Sequence, residues 1–154
     1  MIWIMDASVA VRWFLMEEAD AAADSVLKEA IDHPEIFAVP ELFSFEVLAL
    51  LCRMHPKGAS IFREGVLPLL SGGILRNPMT ESLALQAEPF LIQGLTAYDA
   101  CYAALARDLQ GVWLTYDRKA HNRVRRQGIS HLLIDGLPQN WPGHSGAQLA
   151  PDRA

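Results

Sequence analysis

The sequence predicts an α/β fold with a mostly parallel central sheet, on two observations. Short apolar runs alternate with helical stretches along residues 1–135. The runs are near-continuously apolar rather than alternating, as expected of strands covered on both faces and joined by right-handed crossovers. A chain of 154 residues with 51% hydrophobic and 20% charged residues has enough apolar surface for one core, which excludes disorder along its whole length. After Gly136 the composition shifts to Pro, Gly, Ser, Gln and Asn without apolar period. One domain over 1–135 is therefore expected, followed by a mobile Pro/Gly-rich tail over 136–154.

The elements follow in order. Trp3 to Met5 form a first strand, broken by Asp6-Ala7-Ser8 before a short helix that carries Val9, Val11 and Trp13. Ala19 to Ile31 is rich in good helix formers, with Ala22, Val26 and Ala30 at four-residue spacing, and His33-Pro34 ends it. Ile36 to Val39 is a second strand closed by Pro40, and Leu42 to Met54 an apolar helix stopped at His55-Pro56. Ser60 to Leu70 reads as helix despite Gly65 and Pro68, and Gly72-Gly73 breaks it before the run Ile74-Leu75. A helix from Thr80 or Glu81 to Ile92 precedes an Ala-rich one from Thr96 to Leu109, with Gly111 at its C′ position. Val112 to Thr115 is a strand, Arg118 to Arg126 a basic helix ended by Gly128, and His131 to Ile134 the last strand. Trp13, Phe14, Phe43 and Phe45 are expected in the core, with some left over for a groove or dimer face along the early helices.

Several classes are set aside. Thirteen Lys and Arg against eighteen Asp and Glu give a net charge of −5, which argues against nucleic-acid binding by blanket electrostatics. Cys52 and Cys101 stand apart without a CxxC pair, as in a reducing, cytoplasmic setting. No apolar run approaches the roughly 18 residues of a membrane span, and the apolar N-terminus lacks the basic flank of a signal peptide. His33, His55, His121, His131 and His144 show no zinc spacing.

Four carboxylates stand where a solvated charge is not expected. Asp6 and Asp117 each follow a strand, on the edge where parallel sheets place ligands, although either could simply cap the next helix. Glu46 has Leu42, Phe43, Ala49 and Leu50 as helical neighbours. A buried carboxylate needs a partner there: one buried ion pair, with Arg12 the candidate, or a cation from outside the chain. Asp99 opens the Ala-rich helix, where Thr96-x-x-Asp99 also has the form of a capping box. Four converging acids without His or Cys suit a hard cation such as Mg²⁺ or Mn²⁺, which in enzymes commonly works on phosphate esters.

The stretches Ile4-Met5-Asp6-Ala7-Ser8-Val9, Val39-Pro40-Glu41-Leu42 leading to Glu46, Thr96 to Ala106, and Leu114-Thr115-Tyr116-Asp117 resemble the PIN-domain family over roughly residues 1–135. Within the family they are most similar to the VapC toxins of type II toxin–antitoxin pairs. The resemblance implies a three-layer α/β/α domain and a metal-dependent endoribonuclease that hydrolyses RNA phosphodiesters with metal-activated water. Asp6, Glu46, Asp99 and Asp117 then match the family's catalytic, metal-holding quartet, and Ser8 and Thr115 its supporting hydroxyls. It also implies a homodimer and a cognate VapB-type antitoxin. Many relatives carry a further acid just after the fourth, where this chain has Arg118-Lys119-Ala120, so one metal ion or two is left open.

Charge is unevenly spread: residues 1–100 carry fourteen acids and six bases, residues 101–154 four acids and seven bases. Arg118, Lys119, Arg123, Arg125 and Arg126 follow Asp117 closely and are candidate RNA contacts, with a merely solvated helix face as the alternative. Two other functions compete: a non-catalytic binding module of the same fold, and a receiver-like or phosphatase-like protein using Asp6.

Overall fold

The computed structural model describes residues 1–143. Strand β1 (Trp3–Met5) leads into helix α1 (Ala7–Ala10), which tightens to a 3₁₀ turn at Val11–Trp13; a second 3₁₀ turn, Met16–Glu18, precedes α2 (Ala21–Asp32). Strand β2 (Phe37–Pro40) is followed by α3 (Leu42–Met54), α4 (Gly58–Ile61), a π turn (Phe62–Val66) and α5 (Leu67–Ser71). Then come β3 (Leu75–Asn77), α6 (Glu81–Ile92), α7 (Ala97–Asp108), β4 (Val112–Thr115), α8 (Arg118–Val124) and β5 (Ser130–Leu132).

The five strands form one sheet in the order β3-β2-β1-β4-β5, and every pairing is parallel. Parallel strands pair only through crossovers, and the helices that supply them cover the sheet. β1 and β2 are buried throughout, as their unbroken apolar runs require. The largest fully buried side chains include Trp3 and Phe37 from these strands, with Trp113, Tyr102, Phe43 and Phe90 from elsewhere in the chain. Strand order reverses at β1: the chain steps outward to β2 and β3, then returns across the sheet to lay β4 on β1's other side. Crevices outside the carboxyl ends of strands at such reversals are where open α/β sheets bind ligands.

Several elements depart from expectation. The last strand ends at Leu132, because Leu133 turns into the core within a 3₁₀ turn and Ile134 is exposed. The basic helix stops at Val124; Arg125–Gln127 form a 3₁₀ turn closed by Gly128 in the left-handed conformation. Gln110, not Gly111, holds the left-handed C′ position after α7, with φ 51°. The Gly111 amide closes the cap on Ala106 O at 2.8 Å. Of the four aromatics expected inside, Phe43 is buried, Trp13 and Phe14 are half-buried, and Phe45 is exposed. Packing also reaches past residue 135: the Trp141 ring is buried 5.1 Å from Trp3 and 6.3 Å from Phe37. The remainder of the expected tail, residues 144–154 with His144, lies outside the described residues. Among the described residues no helix is long and apolar enough to cross a membrane.

Candidate active site

Two hydroxyls knit the carboxyl ends of β1 and β4 together. Met5 pairs with Leu114 in register, and the Asp6 amide donates to Leu114 O at 3.1 Å, so Asp6 lies one residue beyond the pairing. Its side chain is buried. Asp6 Oδ1 accepts from the Ser8 amide at 3.3 Å, capping α1, and Oδ2 accepts from Thr115 Oγ1 at 2.5 Å. The same Thr115 hydroxyl accepts from the Asp117 amide at 3.0 Å. Ser8 Oγ accepts from the Tyr116 amide at 3.1 Å, so each hydroxyl pins a backbone amide of the turn that carries Asp117. Asp117, exposed, caps α8 through Oδ1, which accepts from the Ala120 amide at 2.9 Å.

α3 and α7 supply the other two acids. Glu46 is half-buried, and its Oε2 accepts from the Tyr102 hydroxyl at 3.0 Å. Arg12 is not its partner: that side chain donates to Glu18 O at 3.2 Å and stacks 3.7 Å from the Tyr116 ring centre. Tyr102 is held in turn by near-parallel stacking on Trp113, with ring centres 5.8 Å apart. Asp99 carries out the capping role and remains available: the Thr96 hydroxyl accepts from its amide at 3.1 Å and donates to its Oδ2 at 2.8 Å. Capping and ligand roles are therefore not exclusive here, because each carboxylate oxygen has a second lone pair.

The acids feel one another. Burial, helped by the Asp99 and Asp117 charges, pushes the Asp6 carboxyl up to about 6 against the pull of Thr115 and Ser8. Burial likewise raises Glu46 to about 7, opposed by the Tyr102 hydrogen bond and reinforced by Asp6 and Asp99. Asp99 is raised by burial and by Asp117. Among the described residues no three His, Cys, Asp or Glu side chains lie close enough to enclose one ion. The donor set nonetheless fits a hard divalent cation: Asp6, Glu46 and Asp99 are each raised by the charge of at least one other acid of the group, and a positive charge would relieve that repulsion.

The basic residues divide. Arg118 and Lys119 stand in the first turn of α8, beside Asp117, with Arg118 3.7 Å from Asp135. Arg123 Nη1 donates to Gln93 O at 3.2 Å. Arg125 and Arg126 lie past the other end of α8, which runs back toward the start of β5 as a parallel crossover must. They are carried away from the acids by the helix itself.

Tyr102 and Tyr116 were not singled out from the sequence. Tyr102 lies three residues after Asp99 on the same helix, so a shared face was available as a signal. Tyr116 donates to Asp20 Oδ2, and nothing local links residues so far apart in the chain.

A family model described as the PIN domain matches residues 4–127. Among solved structures, the chain superposes on FitAcB from Neisseria gonorrhoeae with a TM-score of 0.67 and 16% identity, covering 88% of this chain and 100% of that one. It superposes on VapC20 from Mycobacterium tuberculosis, a sarcin–ricin loop cleaving toxin, with a TM-score of 0.60 and 17% identity over 78% and 93% of the two chains. For a toxin–antitoxin complex from Klebsiella pneumoniae the values are 0.56 and 15%, over 77% and 88%. No curated protein matches in sequence. At such identities the structural likeness is one of fold.

Proposed function

The chain belongs to the PIN-domain family, and from that premise we propose that it is a divalent-metal-dependent endoribonuclease, the VapC-type toxin of a toxin–antitoxin pair. The observation that carries the reading is the grouping of acids where strand order reverses, close enough that Asp99 and Asp117 raise Asp6, Asp6 and Asp99 raise Glu46, and Asp117 raises Asp99. Likeness in fold to VapC20 and to a toxin–antitoxin complex supports the substrate class and the partner.

Asp6, Glu46, Asp99 and Asp117 would hold Mg²⁺ or Mn²⁺, which supplies Lewis acidity toward a phosphoryl oxygen and lowers the pKa of water. Burial and mutual repulsion keep Asp6 and Glu46 ready to exchange a proton for a cation. The Thr115 hydroxyl fixes the Asp6 carboxylate and the Asp117 backbone as one unit, and Tyr102 orients Glu46 from behind. In this reading water attacks the phosphorus and the 3′-oxygen leaves, so the products would carry 5′-phosphate and 3′-hydroxyl ends. Arg118 and Lys119 are the cations nearest the acids along the chain and are proposed to meet the RNA backbone, with Arg123, Arg125 and Arg126 contributing at most to long-range attraction. Action in the cytoplasm, a homodimer and silencing by a VapB-type antitoxin complete the reading.

The test is incubation of the purified protein with structured RNA in Mg²⁺ and in EDTA. Cleavage in Mg²⁺ alone is expected, with Asp6→Asn and Asp99→Asn each lowering it by at least a hundredfold. Equal cutting by either variant removes that acid from the site. A folded wild type that neither cuts RNA nor binds Mn²⁺ in a calorimetric titration is a non-catalytic module.

A further inference from the structure

Residues of α3 and α7 that neighbour Glu46 and Asp99 also line a separate space. On α3, Leu42, Phe45 and Glu46 share one face by helical spacing; on α7, Tyr98, Cys101 and Tyr102 do the same. Glu46 and Tyr102 meet through their hydrogen bond, and the other members of the two faces line a cavity of about 230 Å³. Asn77, the last residue of β3, and Met79 just after it also line the cavity. The cavity and the carboxylates thus lie along the same edge of the sheet. Glu46 also acts on the Cys101 thiol, which burial and that charge together push upward.

We propose that this cavity is a nucleobase subsite, which receives one unstacked base of a single-stranded RNA whose phosphate lies against the carboxylates. The substrate class rests on the ribonuclease reading. Three observations favour a base as occupant. The volume is below the 300 Å³ at which pockets for drug-sized ligands begin, so it suits a single ring system. Two aromatic side chains, Phe45 at 71% exposure and Tyr98 at 60%, line it, and splayed RNA bases are held by stacking on such side chains. The wall offers a fixed polar contact: Asn77 Nδ2 donates to Val39 O at 3.3 Å and Leu75 O at 3.2 Å, which leaves Oδ1 to accept from a base amino group. Glu41 Oε2 accepts from the Met79 amide at 2.9 Å and fixes the segment opposite. Base on one side and phosphate on the other would give this protein a cut-site preference without net positive charge.

The experiment measures binding and needs no cleavage. In EDTA, fluorescence anisotropy compares eight-nucleotide homopolymers of A, C, G and U with an abasic ribose-phosphate chain of equal length. Wild type is expected to bind at least one homopolymer about tenfold or more tightly than the abasic chain, within the range that base–aromatic stacking supports. Phe45→Ala and Tyr98→Ala, both on exposed positions that should not disturb folding, are expected to erase that difference and leave abasic binding unchanged. Equal affinity for all chains, or a base preference that survives both substitutions, overturns the subsite. So does sedimentation showing that Phe45→Ala splits a dimer while base preference persists, because a second copy then occupies the cavity. If the base preference appears but Mg²⁺ brings no cleavage, the subsite stands and the ribonuclease reading falls.

Discussion

A single hydroxyl, that of Thr115, connects the two strand-end aspartates. It is fully buried, donates to Asp6 and accepts from the Asp117 amide. Thr115→Val keeps shape but strips Asp6 Oδ2 and the Asp117 N–H of their partner, and an unmet buried polar group costs about 1–3 kcal/mol. The variant is expected to lose roughly that much stability in a urea titration and to cut RNA at least tenfold more slowly, while Thr115→Ser retains both properties to within a factor of a few. If Thr115→Val behaves as wild type, the hydroxyl does not organise the pair. Sequence spacing places Asp6 and Asp117 at strand ends, since they stand one and two residues after the apolar strands β1 and β4. It could not carry the Tyr102–Glu46 or Tyr116–Asp20 pairs, whose members lie 56 and 96 residues apart. Such contacts exist only once the helices are laid on the sheet.

Elements were legible where apolar periodicity had a punctuating residue, and misplaced where a glycine served contact rather than conformation. Gly65 reads as a helix breaker, yet a Cβ there would sit 2.5 Å from the Phe14 ring; its reason is the close approach of that ring to the π turn. Gly111 reads as the left-handed C-cap, but Gln110 takes that conformation. A Cβ on Gly111 would come within 2.4 Å of Ile2 O, at the junction where the turn after α7 meets β1. Backbone cannot swing aside as a side chain can, so Gly111→Ala must shift β4 against β1. A loss of about 1–3 kcal/mol is expected, as for other overpacked core positions. Thermal melting checks it, and an unchanged midpoint would show that the strand junction yields more freely than its geometry implies. The basic segment was also misread: of five cations close in sequence, Arg118 and Lys119 open α8 beside Asp117 whereas Arg125 and Arg126 lie past its other end, since a crossover helix leaves the carboxyl edge of the sheet as it runs.

For the whole molecule, the acids that make the site also set how stability varies with pH. Asp6 and Glu46 are raised in the folded protein, from 3.8 to about 6 and from 4.5 to about 7, so folding takes up protons between these limits. Stability must then fall as pH rises through that window, because the ionised forms are the ones that the fold disfavours. Asp6 alone, moved by about two units while buried, is worth on the order of 2–3 kcal/mol at pH 8; the half-exposed Glu46 adds to the slope but is screened by solvent. In EDTA the protein is therefore expected to melt lower at pH 8 than at pH 5. Mg²⁺ or Mn²⁺ binds the ionised carboxylates, so saturating metal should close the gap at pH 8 and have little effect at pH 5, where protons compete. Asp6→Asn separates stability from activity: it removes the buried charge, so the metal-free variant should melt higher than wild type at pH 8 although it no longer cuts RNA. A pH-independent melting point in EDTA, or an Asp6→Asn variant less stable than wild type at pH 8, would mean that Asp6 is a satisfied structural cap and not a charge waiting for a cation.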